Sequence, residues 1–137
     1  MKTTLNAIRA HDPCAEGWKK LLAYLGKTKA DDEQLSLLTI LDSNGIDDAL
    51  WALRAVEGHD REKLLYAVWC VRHVEHLLTD QRSLDALEVA ERFARGPASR
   101  EELAAARAAA RAAQVAELRR LCECVDAGVD PYPEEAL

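Results

Sequence analysis

The chain has 137 residues, a net charge of −6 at pH 7 and 49% hydrophobic residues. That length suits one domain, and the fine mixture of apolar and charged residues excludes both a disordered chain and a membrane span. Polar residues at the N-terminus, among them Asn6, Arg9 and Asp12, interrupt any export signal, so we expect a cytoplasmic protein whose four cysteines stay reduced.

Helical spacing of apolar residues recurs along the chain, whereas no segment alternates with period two for more than a few residues, so strands are not expected. Capping residues precede the helical segments and glycines follow several of them. After a short amphipathic turn near residues 4–10, helices are predicted to begin at Asp12-Pro13, Asp31 with Gln34, Asp47, Asp60, Asp80, and Ser99 with Glu102. Their predicted ends are Gly26, residues 42–45, Val56, Leu78, Gly96-Pro97 and Val125.

These segments predict an all-α fold, an irregular bundle of six to seven helices with short turns and a long Ala-rich C-terminal helix. A single helical domain is expected over residues 1–126, followed by an acidic C-terminal tail over residues 127–137. A fragment of a helical solenoid is the alternative architecture.

The stretch EKLLYAVWCVRHVEHLL, residues 62–78, predicts a helix with two different faces. One broad apolar face should be buried; it consists of Leu64, Ala67, Val68, Val71, Val74, Leu77 and Leu78. The other face carries Tyr66, Trp69, Arg72, His73 and His76. Aromatic, arginine and histidine side chains on one surface favour a protein interface, and the alternative is that the two aromatic residues cover a neighbouring helix.

Trp51 is a second interface candidate. On a helix from Asp47 it falls opposite Leu50, Leu53 and Val56, which are predicted to form the buried stripe. An exposed tryptophan between charged residues indicates an interface, and an edge residue covered by another helix is the alternative.

A cluster of acidic residues lies around the ends of the predicted helices before and after residue 45; it contains Asp31, Asp32, Glu33, Asp42, Asp47 and Asp48. Capping and the helix dipole explain acids at helix N-termini. The functional alternative is that these carboxylates contact a basic groove that normally holds a nucleic-acid backbone, taking the place of its phosphates.

The last helix carries a basic stripe of Arg100, Arg107 and Arg111. Alanines fill most of the remaining surface between residues 104 and 113, so we expect the alanine side to pack and the arginines to face solvent or an acidic partner. Leu118, Leu121 and Val125 continue the same stripe. We therefore expect the helix to extend beyond its bundle, to bend, or to pair with a second copy as a homodimer.

The sequence shows no strong motif for catalysis, metal binding or DNA binding. Cys70, His73 and His76, with His59 or His11, have the residue types for a zinc site, but a polar helix face explains the histidines better. There is no Gly-rich phosphate loop, GxSxG or HExxH, and no helix-turn-helix with a basic second helix. We therefore expect that the protein is not an enzyme and that it binds no cofactor and no metal. We also expect that it contacts no membrane and does not bind nucleic acid directly.

Two stretches resemble segments of small proteins from temperate phages and other bacterial mobile elements. They are EGWKKLLAYLGKTKADDEQLSLLTILDSNGIDDALWALRAV, residues 16–56, and ALEVAERFARGPASREELAAARAAARAA, residues 86–113. Together they cover about half of the chain. The second stretch is similar to a helical hairpin that also occurs in immunity-type proteins.

The resemblance implies a genomic setting in which small, acidic, all-helical proteins are often anti-CRISPR proteins. It implies an inhibitor that acts in the cytoplasm of a bacterial host and binds a bacterial defence complex. The favoured target is a CRISPR surveillance complex or its nuclease. Binding would sterically block nucleic-acid or partner binding. The alternative is an immunity-type or regulatory helical adaptor that binds a single toxin or phage protein. The resemblance carries no functional residues to particular positions.

Overall fold

The computed structural model describes residues 1–130, so most of the predicted acidic tail, residues 131–137, lies outside the described residues. Within residues 1–130 the elements in chain order are β1 (Lys2–Thr3), α1 (Leu5–Arg9), α2 (Ala15–Tyr24), β2 (Leu35–Ser36), α3 (Leu37–Asn44), α4 (Ile46–Ala52), a 3-10 turn (Leu53–Ala55), α5 (Asp60–Arg72), a second 3-10 turn (Glu75–Leu77), α6 (Gln81–Arg95) and α7 (Arg100–Asp126). The predicted all-α fold with a long C-terminal helix is confirmed.

The chain divides into two compact units, a first unit over Met1–Lys63 and a second unit from Leu64 onward. The core of the first unit consists of Leu5, Ile8, Leu21, Leu35, Ile40, Ala49, Ala52 and Ala55. The core of the second unit consists of Val68, Leu87, Ala90 and Leu103. Whether both units unfold as the single domain expected from the sequence stays a prediction.

A two-stranded antiparallel pairing closes the first unit. Lys2 pairs with Ser36 and Thr3 pairs with Leu35. The Thr3 hydroxyl is buried and donates a 2.5 Å hydrogen bond to the carbonyl oxygen of Ala55. The expectation that strands are absent is therefore wrong, because strands of two residues are too short to produce an alternating pattern.

The first unit also corrects two predicted helix starts. α2 begins after Cys14, whose Sγ accepts a hydrogen bond from the Gly17 N–H, and not after Asp12. α3 begins after Ser36, whose Oγ accepts from the Leu38 N–H, and not after Asp31. Both predicted caps were chosen from local sequence, whereas pairing with β1 holds residues 35–36 in an extended conformation.

The buried side of α4 differs from the prediction. Ala49 and Ala52 are buried, Leu50 is exposed, and Trp51 is half-buried against the core of the first unit. Small side chains on the inner side let α4 approach its neighbours closely, and this leaves the larger Leu50 outside. The predicted buried stripe is therefore wrong at Leu50, whereas Val56 is buried and Leu53 is half-buried. Trp51 is an edge residue covered by other helices.

α5 is shorter than predicted because it ends at Arg72. The Val74 N–H bonds to the Val71 carbonyl, three residues back, and the chain continues as a 3-10 turn. Val74 is 46% exposed, Leu77 is 68% exposed and Ala67 is exposed as well, so the prediction that these three residues lie on a buried face is wrong. Neither glycine nor proline explains this end of the helix.

α6 and α7 form a hairpin whose ends were predicted from the sequence. The Asp80 side chain caps α6 by accepting from the Arg82 N–H, and Gly96 ends it with a φ of 106°, a left-handed conformation that favours glycine. Ser99 and Glu102 form the predicted capping box at the start of α7. α7, with 27 residues, is about 40 Å long and is longer than α6, which has 15 residues.

Replacing Ser99 tests the capping box. Ser99→Ala should lower the free energy of unfolding by about 1 kcal/mol, because the Glu102 N–H loses its partner. Ser99→Gly should lower the free energy of unfolding by only about a few tenths of a kcal/mol, since glycine exposes the Glu102 N–H to water. Urea denaturation followed by circular dichroism measures both changes, and equal stabilities of the wild type and Ser99→Ala would contradict the assignment.

Candidate functional site

A cavity of about 240 Å³ opens between the helices of the first unit. Its apolar walls come from α1, α2, α3 and α4 and consist of Ile8, Trp18, Leu21, Ile40, Trp51 and Ala52. Its polar lining includes Asn44, Asp47 and Asp48. A cavity with mostly apolar walls and a few polar groups is the usual form of a binding pocket.

A hydrogen-bond network around Asn44 sets the polar side of this cavity. The Asn44 amide nitrogen donates to the Gly17 carbonyl at 2.8 Å and to Asp48 Oδ2 at 2.7 Å. Asn44 Oδ1 accepts from the Ser43 hydroxyl at 2.7 Å. α2, α3 and α4 are therefore joined by one side chain.

Gly17 lets the Asp48 carboxylate approach α2. A Cβ atom at residue 17 would lie 2.5 Å from Asp48 Oδ2, closer than such atoms can pack, and it would make a tight contact of 3.1 Å with Cys14 Sγ. No sequence pattern predicted this cavity, and the available signal was Gly17, since a glycine inside a helix often marks a close approach.

The Trp51 side chain lines the cavity and also contacts a cation. The Arg54 guanidinium lies over the Trp51 ring, 4.6 Å from the ring centroid, and Arg54 Nε donates to the Trp51 carbonyl. This is the geometry of a cation–π contact. The indole of Trp51 is thus shared between a surface arginine and the cavity.

The structure separates the predicted acidic cluster into two groups. Asp31 and Glu33 both accept hydrogen bonds from Lys27 Nζ, at 2.6 Å and 2.7 Å, and Asp32 accepts from the Asn6 side chain at 2.8 Å. These three acids hold the loop between α2 and β2. Asp47 and Asp48 line the cavity instead. Exposed Asp42, like Asp47, makes no hydrogen bond or ion pair within residues 1–130.

Tyr66, Trp69 and His73 form an exposed aromatic stack along α5 and its end. Trp69 is 57% exposed and Tyr66 is 42% exposed, and their ring centroids lie 6.1 Å apart in a stacked arrangement. The His73 ring lies 3.9 Å from the Trp69 ring, and His73 Nδ1 is 2.8 Å from the Trp69 carbonyl oxygen. A hydrogen bond with the Cys70 thiol raises the pKa of the Tyr66 phenol. Side-chain and backbone contacts thus hold these rings in a defined arrangement at the surface.

Arg72 is engaged within the second unit. Its guanidinium pairs with Glu75 at 2.9 Å and with Glu91 at 3.0 Å. Hydrogen bonds with these carboxylates raise the pKa of Arg72, and Arg72 followed by Arg95 lowers the pKa of Glu91. Arg72 therefore ties the end of α5 to α6, while His76 is exposed on the 3-10 turn without a described contact.

The basic stripe is exposed on the first half of α7. Arg100, Arg107 and Arg111 make no ion pair within residues 1–130. The predicted packing of the alanine side holds for Ala110 and Ala113, which are buried with Leu103, whereas most other alanines of α7 are exposed. The second half of α7 continues the arginine face with exposed Val115, Leu118, Cys122 and Val125.

Within residues 1–130, no three His, Cys, Asp or Glu side chains come together in a way that could hold a metal ion. Of the helices in the same region, none is both long and apolar enough to cross a membrane.

Comparison with known proteins gave no match to a family model, to a curated protein or to a solved structure.

Removing Lys27 tests the loop assigned to the acidic residues. The hydrogen bond from Lys27 lowers the pKa of the Asp31 carboxyl below 3.8, so this contact stabilises the fold above that pH and is lost as the pH falls through the lowered value. Lys27→Met should raise the pKa of Asp31 toward 3.8, as measured by NMR titration of the carboxyl carbon. Lys29→Met is the matched control, and an equal rise in that variant would contradict the assignment.

Proposed function

We propose that this chain is a non-catalytic binding protein that covers the surface of a protein partner with the aromatic stack of Tyr66, Trp69 and His73. The observation that supports the proposal is the exposure of Trp69. A stacked tryptophan supplies a large contact area at little cost in side-chain entropy, because its neighbours already restrain it. Binding hot spots are enriched in such residues.

The proposed partner is a bacterial defence complex, and the favoured one is a CRISPR surveillance complex or its nuclease. Binding would sterically block the contacts of this complex with nucleic acid or with a protein partner. The choice of partner rests on the resemblance to small proteins of phages and mobile elements. The exposed carboxylates of Asp42 and Asp47 add a negative surface in the first unit that suits a basic groove. Asp31, Asp32 and Glu33 are not part of this proposal, because hydrogen bonds from Lys27 and Asn6 hold them.

The direct test is capture of purified CRISPR surveillance complexes by the tagged full chain, followed by plaque assays on immune hosts. Stable capture and restored phage growth would support the proposal. Failure across all CRISPR types would overturn this choice of partner. Capture of a single toxin or phage protein instead would identify an immunity-type or regulatory adaptor.

Trp69→Ala tests the contact surface. The variant should weaken partner binding by about 2 kcal/mol or more, a factor of about 30 in dissociation constant, because Trp69 supplies the centre of the aromatic stack. Tyr24→Ala is the matched control, since Tyr24 is 59% exposed without a described ring contact. Surface plasmon resonance measures both affinities, and equal losses in the two variants would remove the aromatic stack as the interface.

We also propose that the second half of α7 pairs with a second copy of the chain. Val115, Leu118, Cys122 and Val125 follow each other at spacings of three, four and three residues, and Leu118 is 60% exposed. This is the spacing of a coiled-coil seam. These side chains are exposed on the second half of α7, so a second copy would cover apolar surface that the hairpin leaves exposed.

Leu118→Glu tests this pairing. A charge in the centre of the seam should convert a dimer to a monomer, as measured by sedimentation velocity, without changing the helical circular dichroism signal. Ala112→Glu, an exposed position on another side of α7, should leave the dimer intact. A monomeric wild-type chain at high micromolar concentration would contradict the proposal.

A further inference from the structure

The cavity of the first unit has the size of a single side chain. Its volume of about 240 Å³ is below the range of drug-sized pockets, roughly 300–1,000 Å³, yet above the roughly 150 Å³ that hold a benzene molecule. Its walls come from residues of four helices, and the Asn44 network holds three of these helices together. A site of this size suits one anchoring group from a partner.

The chemistry of the walls selects the kind of group. Leu21 and Ile40 supply apolar surface, and Trp18 and Trp51 add two indole rings. Apolar walls suit a hydrocarbon stem, and the faces of indole rings attract cations. The stem of the occupant would therefore lie among apolar side chains and its charged end near a ring.

Two carboxylates determine the sign of the charge. Asp47 and Asp48 both line the cavity. Asp48 uses Oδ2 to accept from Asn44, and its Oδ1 has no hydrogen-bond partner among residues 1–130. An anionic occupant would be repelled, and a purely apolar one would remove water from Asp48 without replacing it. A hydrogen-bond donor that carries a positive charge satisfies both residues.

Arg54 indicates which cation fits. Its guanidinium already lies 4.6 Å from the centroid of Trp51, so this indole accepts a guanidinium in the native structure. A guanidinium is planar and stacks on aromatic rings while it donates to carboxylates, whereas an ammonium group is compact and strongly hydrated.

We propose that this cavity binds one arginine side chain from a basic segment of a protein partner. The guanidinium would lie near Asp47 and Asp48, and the stem would lie against Trp18, Leu21 and Ile40. The site belongs to the first unit and does not depend on the contact proposed for the aromatic stack.

The test is an NMR titration of the full chain, labelled with nitrogen-15, with an acetylated and amidated Gly-Arg-Gly peptide at low ionic strength. The indole N–H signals of Trp18 and Trp51 should shift together and saturate, with a dissociation constant on the order of 1 mM for so small a ligand. The signal of Trp69, the third tryptophan, serves as the internal control. A peptide with citrulline in place of arginine keeps the shape but lacks the charge, and it should bind about tenfold more weakly.

Two variants locate the peptide. Asp47→Asn should weaken binding about threefold without changing the fold, because Asp47 is exposed and makes no described contact. Ala52→Leu should fill the cavity and abolish the shifts of both indole signals. The proposal is overturned if neither indole signal moves at peptide concentrations well above that constant, if citrulline binds as tightly as arginine, or if the Trp69 signal shifts in parallel with the other two.

Discussion

The amide group of Asn44 joins three helices of the first unit, and the shape of the cavity depends on it. Its nitrogen bonds the Gly17 carbonyl and the Asp48 carboxylate, and its oxygen accepts from Ser43. Because Gly17 has no Cβ, the carboxylate lies against α2 without a clash. A half-buried carboxylate of this kind needs hydrogen bonds to offset its loss of water. The packing of three helices and the polar side of the cavity thus have one physical cause.

The chain distributes large and small apolar residues unusually. Alanines occupy much of the interior, including Ala49, Ala52 and Ala55 in the first unit and Ala90 and Ala94 in the second. Large side chains lie outside, as Leu38, Leu77 and Trp69 show, each more than half exposed. Small interior residues allow helices to approach closely, but they leave larger residues without internal partners. Among these exposed residues, Trp69 is in contact with Tyr66 and His73, and such a continuous aromatic surface is the physical reason to propose a binding function.

In the second unit, the helix ends that depend only on neighbouring residues in the sequence were predicted correctly for α6 and for the start of α7. The caps at Asp80 and Ser99 and the glycine end at Gly96 are determined within one helical turn, and all three agree with the structure. The overall all-α class follows from repeated helical spacing and was also predicted.

Features that depend on distant parts of the chain were not predictable. The start of α3 depends on pairing between β2 and β1, which are more than 30 residues apart, and the inner side of α4 depends on which helices pack against it. For the candidate site, the sequence identified the exposed Trp69 face but not the cavity. Residues from four separate helices form that cavity, and only tertiary packing brings them together.

We propose that this chain acts by covering a partner with a pre-formed surface and does not alter the partner chemically. Hydrogen–deuterium exchange with mass spectrometry, performed on the full chain alone and in complex with its captured partner, is the direct test. We expect slower exchange in the segment around Tyr66 to His73, with the rest of the second unit unchanged and the mass of the partner unaltered. Unchanged exchange in that segment, or a covalent change in the partner, would contradict it.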